Sequence, residues 1–434
     1  MPEVSKKITG EIVISSEALT EIKKEIKNLS DFKEKIEAFL EKGVTEILEI
    51  ILGGAIFLDA SDIHIEPREK EARLRVRVDG VLQDVLFLDK KVQENILSRI
   101  KLLSGIKLNI TDRPQDGRFS IVSEKNLIEI RTSTLPAEYG ESIVFRVLNP
   151  KSLIDMGALG LREDLLKIFE REIKKPNGMI IVTGPTGSGK TTTLYAFLKK
   201  IQKPEIKVVT IEDPIEYHLE GISQTQVNPQ KGYDFVNGLR SIMRQDPDVI
   251  LVGEIRDLET ADIGLQAALT GHLVLTTLHT NDAAGTIARL VNLGAKSADI
   301  GPAINLAIAQ RLVRKVCKKC AEFKKISSEE LKKIKKELSS LRAVKVPKLT
   351  PELKIPKIRG CRDCNFSGFR GRVGIFEAFL VDDEMEKFIL KSPSIAALRE
   401  EAIKKGMVTM KQDGLIKVLE GITTLEEVER VVGE

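Results

Sequence analysis

The chain has 434 residues, 42% hydrophobic and 30% charged, with 68 Lys and Arg against 64 Asp and Glu for a net charge of +4. That profile is globular, of about three domains, and excludes a disordered or collagen-like chain; near-neutrality demands no polyanionic partner. With no Trp and 4% aromatics, the sequence lacks the stacking platforms of single-strand nucleic-acid binders, and no nucleic acid is expected as a partner. The N-terminal MPEVSKKITGEIVISSEALT has neither an apolar core nor a small-residue cleavage site, so it is not a secretory signal. Apolar runs such as GMIIVTG and DVILVG fall far short of the roughly 20 residues that cross a bilayer. A cytoplasmic protein is expected, with any membrane contact peripheral.

In chain order, residues 1–40 are Lys/Glu-rich, with apolar residues at helical spacing in LTEIKKEIKNLSDFKEKIEAFL. They read as a short leader helix whose polar face is solvated. Residues 41–150 read as an α+β domain. VTEILEIILGGAIFLDA is a helix, KVQENILSRIKLLSGI another, and DIHIEP, ARLRVRVDGVLQDVLFL, GRFSIVS, LIEIRTSTLP and SIVFRVL alternate as half-buried strands do. Residues 151–175 connect this domain to a different style of sequence. From 176 to 315, GMIIVTG, IKVVTIED, VILVGE and HLVLTTL are short continuous apolar runs separated by helical stretches. That is the signature of a parallel sheet covered on both faces, here a RecA-like α/β core. Residues 316–364 hold two Cys pairs around a Lys-rich insert, expected as a solvated surface loop, and 365–434 end in helices such as SIAALREEAIKKG and LEEVERVV.

The strongest local signal is Gly184-Pro185-Thr186-Gly187-Ser188-Gly189-Lys190-Thr191-Thr192, which satisfies G-x-x-x-x-G-K-[ST] after a predicted strand and before a predicted helix. Glycines let backbone N–H groups converge on a phosphate, and the helix N-terminus adds its dipole. Lys190 can reach the β- and γ-phosphates of ATP, and the Thr191 hydroxyl can ligate Mg²⁺. Two further strands end in acids, VVTIEDPIEY with Glu212 and Asp213, and DVILVGEIRD with Glu254. Both place a carboxylate where ligands bind in open α/β sheets. One acid holds the metal and the other polarises the attacking water; Glu254 is preferred for the water, with a magnesium contact also assigned to it, and the reverse assignment with Glu212 competes. In LTGHLVLTTLHTNDA, His272 and His279 flank one core strand and are two of only four His in the chain. His279 is the stronger candidate for sensing the phosphate, His272 the weaker.

These motifs, in this order, resemble the secretion ATPases of type II secretion and type IV pilus assembly (the GspE/PilB group). ASDIHIEP at 60–67, RPQDGR at 113–118 and RTSTLP at 131–136 come first. GPTGSGKTTTLYA, TIEDPIEY, RQDPDVILVGEIRD, ALTGHLVLTTLHTNDA and AQRLVRKVCKKC come after them, so the match covers roughly residues 45–434. The resemblance implies a RecA-like P-loop core, an N-terminal α+β (PAS-like) domain, a four-Cys zinc element and a C-terminal helical subdomain. It also implies a homo-hexamer that hydrolyses ATP to ADP and phosphate and powers pseudopilus or pilus assembly. Its partner would be an inner-membrane platform protein, at the cytoplasmic face of that membrane. Arginines of the N-terminal domain would reach the γ-phosphate, with Arg118 and Arg131 the better candidates and Arg75 and Arg77, two apart on one strand, the weaker. Two departures stand out. The docking region usual in the family is expected to be absent or cut away, since about 40 residues precede the matched region, and Ser142 stands where an arginine usually comes after Gly-Glu, while Arg146 remains.

Cys317-x-x-Cys320 and Cys361-x-x-Cys364 supply four thiolates, enough for a closed, structural Zn²⁺ site. The 40 residues between the pairs exceed the usual gap of short ribbons, and the resemblance strengthens the assignment. Competing functions are a retraction-type or DNA-uptake motor of the same superfamily and, from another class, a RecA-like nucleic-acid translocase. The Cys pairs argue against the retraction motor, and the charge and aromatic content against the translocase.

Overall fold

The computed structural model describes residues 10–123, 126–150, 153–341 and 344–433. They form two compact units, one from the residues up to 150 with 359–370, the other from 153–358 and 371–433.

The first unit runs β1 (Glu11–Val13), α1 (Ser16–Glu25), α2 (Leu29–Glu37), α3 (Val44–Phe57), β2 (Asp62–Pro67), β3 (Glu71–Val78), β4 (Val81–Asp89), α4 (Lys90–Leu103), β5 (Gln115–Ser123), β6 (Asn126–Ala137) and β7 (Gly140–Leu148). Its sheet has the order β1-β5-β6-β7-β2-β3-β4. Every pairing is antiparallel except β1 with β5. β3 shows the period-2 rule plainly: Ala72, Leu74, Val76 and Val78 are buried, and Arg73, Arg75 and Arg77 take the other face. Beyond its first turn α3 is apolar at every position but Glu49, and Ile47, Leu48 and Ile50 to Ala55 are all buried, so it must be covered on most sides. That need explains a difference from the expected solvated leader. Residues 10–37 form β1, α1 and α2, and Ile12, Ile22, Phe32 and Ile36 join the core of this unit. The fit is close: a Cβ on Gly54 of α3 would lie 2.4 Å from the Phe32 ring.

The second unit holds α5 (Glu163–Glu172), β8 (Gly178–Thr183), α6 (Lys190–Ile201), β9 (Val208–Glu212), β10 (Ser223–Gln226), α7 (Phe235–Met243), β11 (Val249–Val252), α8 (Leu258–Leu269), β12 (Leu273–Leu278), α9 (Ala284–Leu293), α10 (Ser297–Ala303) and β13 (Ile304–Val316). It continues with β14 (Glu322–Lys325), α11 (Ser328–Leu338), β15 (Lys354–Lys357), β16 (Phe369–Leu380), α12 (Asp383–Ile389), α13 (Ile395–Lys404), α14 (Met410–Leu419) and α15 (Leu425–Val432). The large sheet has the order β10-β9-β11-β12-β8-β13-β16, and its strands from β10 to β13 run parallel. Along β8, Met179 and Ile181 enter one core while Ile180 and Val182 enter another. The sheet is thus buried on both faces, which is why its strands read as continuous apolar runs. The expected RecA-like α/β core is present.

The Lys-rich insert is not a solvated loop. β14 and β15 pair antiparallel, and α11 starts with a capping box between Ser327 and Glu330. Ile326, Leu331, Ile334, Leu338 and Ile355 then pack with Leu415, Leu419 and Val428 of the C-terminal helices. The lysines alternate with that apolar stripe at helical spacing, so a helix can bury one set while solvating the other. Among the described residues, no helix is long and apolar enough to cross a membrane.

α15 is tied to β13 by a buried carboxylate. Glu427 accepts from the Arg314 backbone N–H at 3.0 Å and from its guanidinium at 2.7 Å, and Arg430 adds two more bonds. Burial alone would raise the Glu427 pKa; the bonds from Arg430 and Arg314 override it and hold the carboxyl at about 2. A depressed folded-state pKa stabilises fully above the ordinary glutamate range and loses that contribution as pH falls toward about 2. Glu427→Ala removes the carboxylate that Arg314 and Arg430 share, and the expected loss of stability at pH 7 is roughly 3–5 kcal/mol. Denaturant unfolding at pH 7 and at pH 3 checks both parts, because the gap between variant and parent should narrow at the lower pH.

Candidate functional site

The phosphate loop comes directly after β8. Its three glycines have positive φ, 149° at Gly184, 78° at Gly187 and 89° at Gly189, values that L side chains with a Cβ avoid. A Cβ on Gly184 would also meet the Gln310 carbonyl at 2.7 Å. The loop ends at the N-terminus of α6, whose N-cap is Gly189. This leaves the first N–H groups of the helix without side-chain caps and free to bind an anion. Pro185 and Thr186 complete the loop, and Lys190, Thr191 and Thr192 form the first turn of α6. Lys190 Nζ donates to the Gly184 carbonyl at 2.8 Å and the Pro185 carbonyl at 3.1 Å. Burial pushes its ammonium below the ordinary range, Glu254 opposes this and Arg311 adds to it. A desolvated cation held, among the described residues, by two carbonyls is poised for a phosphate.

The loop is braced from β13. Gln310, 1% exposed, donates from Nε2 to the Ser188 carbonyl at 2.7 Å and accepts at Oε1 from Thr193 Oγ1 at 2.7 Å. Gln310 lies within the motif AQRLVRKVCKKC, but the sequence gives it no role there. Its one signal in the sequence is a Gln-Arg pair interrupting the apolar strand INLAIAQRLV.

The acids emerge from neighbouring strand ends, since Ile211 of β9 lies opposite Val252 of β11. Their surroundings differ. Glu212 is buried, and its oxygens take bonds from Tyr195, from Thr210 at 2.6 Å and from Gln224 at 3.3 Å. Burial raises its pKa, and the hydrogen bonds act in the opposite sense. Asp213, the next residue, is exposed. Glu254 is half-buried, with Arg256 on Oε1 and His279 Nε2 at 3.3 Å from Oε2. Its field reaches Lys190. His279 lies just after β12, at the same sheet edge as the phosphate loop, because β12 and β8 run parallel. His272 precedes β12 and lies at the opposite edge, with Nδ1 at 3.1 Å from the Ala267 carbonyl. The fold therefore brings His279, and not His272, to the phosphate side.

In the first unit the expected arginines share a row across the sheet. Arg118 lies opposite Arg131, Arg131 opposite Arg146, Arg146 opposite Asp62, and Asp62 opposite Arg77. Like charges directly opposite repel. Asp62, buried, relieves two of them by accepting from Arg146 Nε at 3.1 Å and lying 3.2 Å from Arg77 Nε. Arg131 is 3.6 Å from Glu129, and Arg118 is exposed. Arg75 pairs instead with Glu66 and Asp84.

Cys317, Cys320, Cys361 and Cys364 converge, their sulfurs all within 4.8 Å of one another. A tetrahedron of Zn–S bonds of about 2.3 Å sets ligand sulfurs roughly 3.8 Å apart, and the Cys361 and Cys364 sulfurs are 3.7 Å apart. Each pair sits on a tight turn: the Cys317 carbonyl accepts from the N–H groups of Cys320 and Ala321, the Cys361 carbonyl from those of Cys364 and Phe366. The Cys361 N–H also points at the Cys364 sulfur, at 3.2 Å, an outer bond that favours thiolate. Donor type, number and spacing fit zinc.

Known proteins resemble this chain over most of its length. The family described as Type II/IV secretion system protein matches residues 36–430. The Type II secretion system ATPase E of Vibrio cholerae is 44% identical over 394 residues, 90% of this chain and 76% of that protein. The Type IV pilus assembly ATPase PilB of Myxococcus xanthus is 41% identical over 410 residues, 94% of this chain and 70% of that protein. Among solved structures, the pilus retraction motor PilT with bound ADP has a TM-score of 0.58 at 26% identity, covering 88% of this chain and 95% of that one. The Legionella pneumophila ATPase DotB has a TM-score of 0.64 at 23% identity, with 89% and 95% covered, and shares the fold.

The cysteine geometry predicts one zinc per chain in the purified protein. Cys364→Ser should abolish stoichiometric zinc by elemental analysis and lower the melting temperature; a metal-free parent chain whose melting ignores chelator would contradict the assignment.

Proposed function

Because the chain belongs to the Type II/IV secretion system protein family, we propose that it hydrolyses ATP to ADP and phosphate as a homo-hexameric motor. The motor drives secretion-pseudopilus or pilus assembly through an inner-membrane platform protein, at the cytoplasmic face of that membrane. The observation that carries this reading is the complete phosphate loop, with its desolvated Lys190, at the sheet edge from which Glu254 also emerges. Relatives at 41–44% identity are named secretion and pilus-assembly ATPases, which favours assembly over retraction.

Each role comes from the surroundings of the residue. The loop amides and Lys190 bind the β- and γ-phosphates and neutralise charge as the γ-phosphoryl group leaves. Thr191 and Glu254 would hold Mg²⁺, which supplies further charge neutralisation. Glu254 orients and deprotonates the attacking water, because its carboxylate is less enclosed than that of Glu212. Glu212, closed in by Tyr195, Thr210 and Gln224, keeps the adjoining strand end in place. His279, on the Glu254 carboxylate, reports the state of the phosphate. Arg118 and Arg131, strung in an arginine row with a single acid, supply positive charge to the γ-phosphate. The four cysteines hold zinc as a structural clip.

Phosphate release tests the reading. Lys190→Ala should lose activity through phosphate binding. Glu254→Gln should bind nucleotide normally while turning over roughly 10²–10⁴-fold more slowly. Near-normal turnover in both variants would refute the site.

A further inference from the structure

β13 carries a second polar side chain beside the phosphate loop, and neither phosphate binding nor water activation uses it. The Arg311 guanidinium is half-buried, and its hydrogen bonds all go to carbonyl oxygens: Nη1 to Gln310 at 3.0 Å and Nη2 to Asn281 at 2.8 Å. Among the described residues, no carboxylate lies within ion-pair distance of it. Burial pushes its pKa below the ordinary guanidinium range, while Glu377 and Asp282 pull it up from further away. A cation withdrawn from water without a paired charge is costly, and Leu or Val would suit a core strand better. What the arginine provides is a rigid two-pronged fork.

The prongs join two parts of the site. On one side, a Cβ on Gly184 would lie 3.1 Å from Nη1, so the guanidinium rests against the first glycine of the phosphate loop. Its charge is felt at Lys190. On the other side, Asn281 is two residues beyond His279. The surrounding loop has other anchors. Thr280 bonds to Thr183 at 2.8 Å, the Ala283 N–H to Glu377 at 2.8 Å, and Asp282 pairs with Arg399. Among the described residues, the Asn281 carbonyl is held by Arg311 alone. The contact that this loop sets, His279 Nε2 to Glu254 Oε2, is 3.3 Å. That is at the long end of hydrogen-bond distances, so a shift of a few tenths of an ångström decides whether it forms.

We propose that Arg311 is a positioning residue for ATP hydrolysis, which couples filling of the phosphate loop to the placement of His279 against Glu254. The inference rests on the ATPase reading. Phosphates arriving beside Gly184 and Lys190 put negative charge within reach of a guanidinium that has no paired acid. The fork responds as a rigid unit, and the Asn281 carbonyl carries the displacement to His279. Arg311 acts through His279 and does not itself handle the reacting water.

Full-length Arg311→Ala and Arg311→Lys are compared with parent, Lys190→Ala and His279→Ala by phosphate release and by binding of a fluorescent ATP analogue. The expected result is a split. Turnover falls about tenfold or more, while the nucleotide dissociation constant stays within about threefold. Arg311→Lys keeps the charge and loses the fork, so it should be impaired too. Millimolar guanidinium should restore part of the turnover of Arg311→Ala and none of that of Lys190→Ala. On a His279→Ala background, Arg311→Ala should add little, since both changes remove one coupling. The proposal is overturned if nucleotide binding weakens as much as turnover, if the two changes multiply fully, or if Arg311→Ala turns over like the parent while Lys190→Ala is inactive. Undiminished turnover in Lys190→Ala would instead bring down the ATPase reading itself.

Discussion

A buried glutamine holds the phosphate loop in shape. Gln310 reaches from β13 to the Ser188 carbonyl and the Thr193 hydroxyl, so one amide closes both the loop and the first turn of α6. The loop needs such a brace because its backbone departs three times into conformations that only glycine tolerates. Glycine-rich segments lose the most entropy on ordering. In a dry environment each bond of this amide is worth more than in water, and leaving either end unmet would cost the desolvation of a buried polar group. The brace therefore both orders the loop and commits β13 to its place beside β8.

That placement clusters the chemistry at one edge of the sheet. Parallel strands point their carboxyl ends the same way, so the chain leaves Thr183, Glu212, Val252 and Leu278 on one side. The phosphate loop, Glu254 and His279 are brought together by direction alone. Environment then separates the two acids. Glu212 is enclosed by three donors and Glu254 faces outward between Arg256 and His279. Two carboxylates of similar sequence setting thus acquire different chemistry through burial and hydrogen bonding.

The first unit shows the same logic in charge. A sheet with one apolar face leaves its other face to polar residues, and alternation along β3, β5, β6 and β7 sends arginines there. Register lines them up, and Asp62 interrupts the row. A line of like charge across adjacent strands is an unfavourable arrangement within the unit by itself, and Asp62 and Glu129 offset part of it.

Much of this was legible in the residues themselves. The phosphate loop, the strand-end acids and the Cys pairs are local signals, because each depends on short spacing or on the strand just before it. Apolar runs against alternating runs separated the doubly covered sheet from the one-sided sheet, since side-chain period records how many faces are buried. The residues favoured His279 over His272 by little, because both flank one strand and only strand direction distinguishes its ends. Nor could they show Gln310 bracing Ser188, which is 122 positions away. The burial of the Lys/Glu-rich helices was hidden for a related reason. An amphipathic stripe reads the same whether it meets water or a neighbour, and only the fold supplied α3 for α1 and α2, and the C-terminal helices for α11. Local geometry and chemistry are written in spacing; the choice among partners far apart in sequence belongs to tertiary packing, because burial and register are properties of surfaces that meet only when the chain has folded.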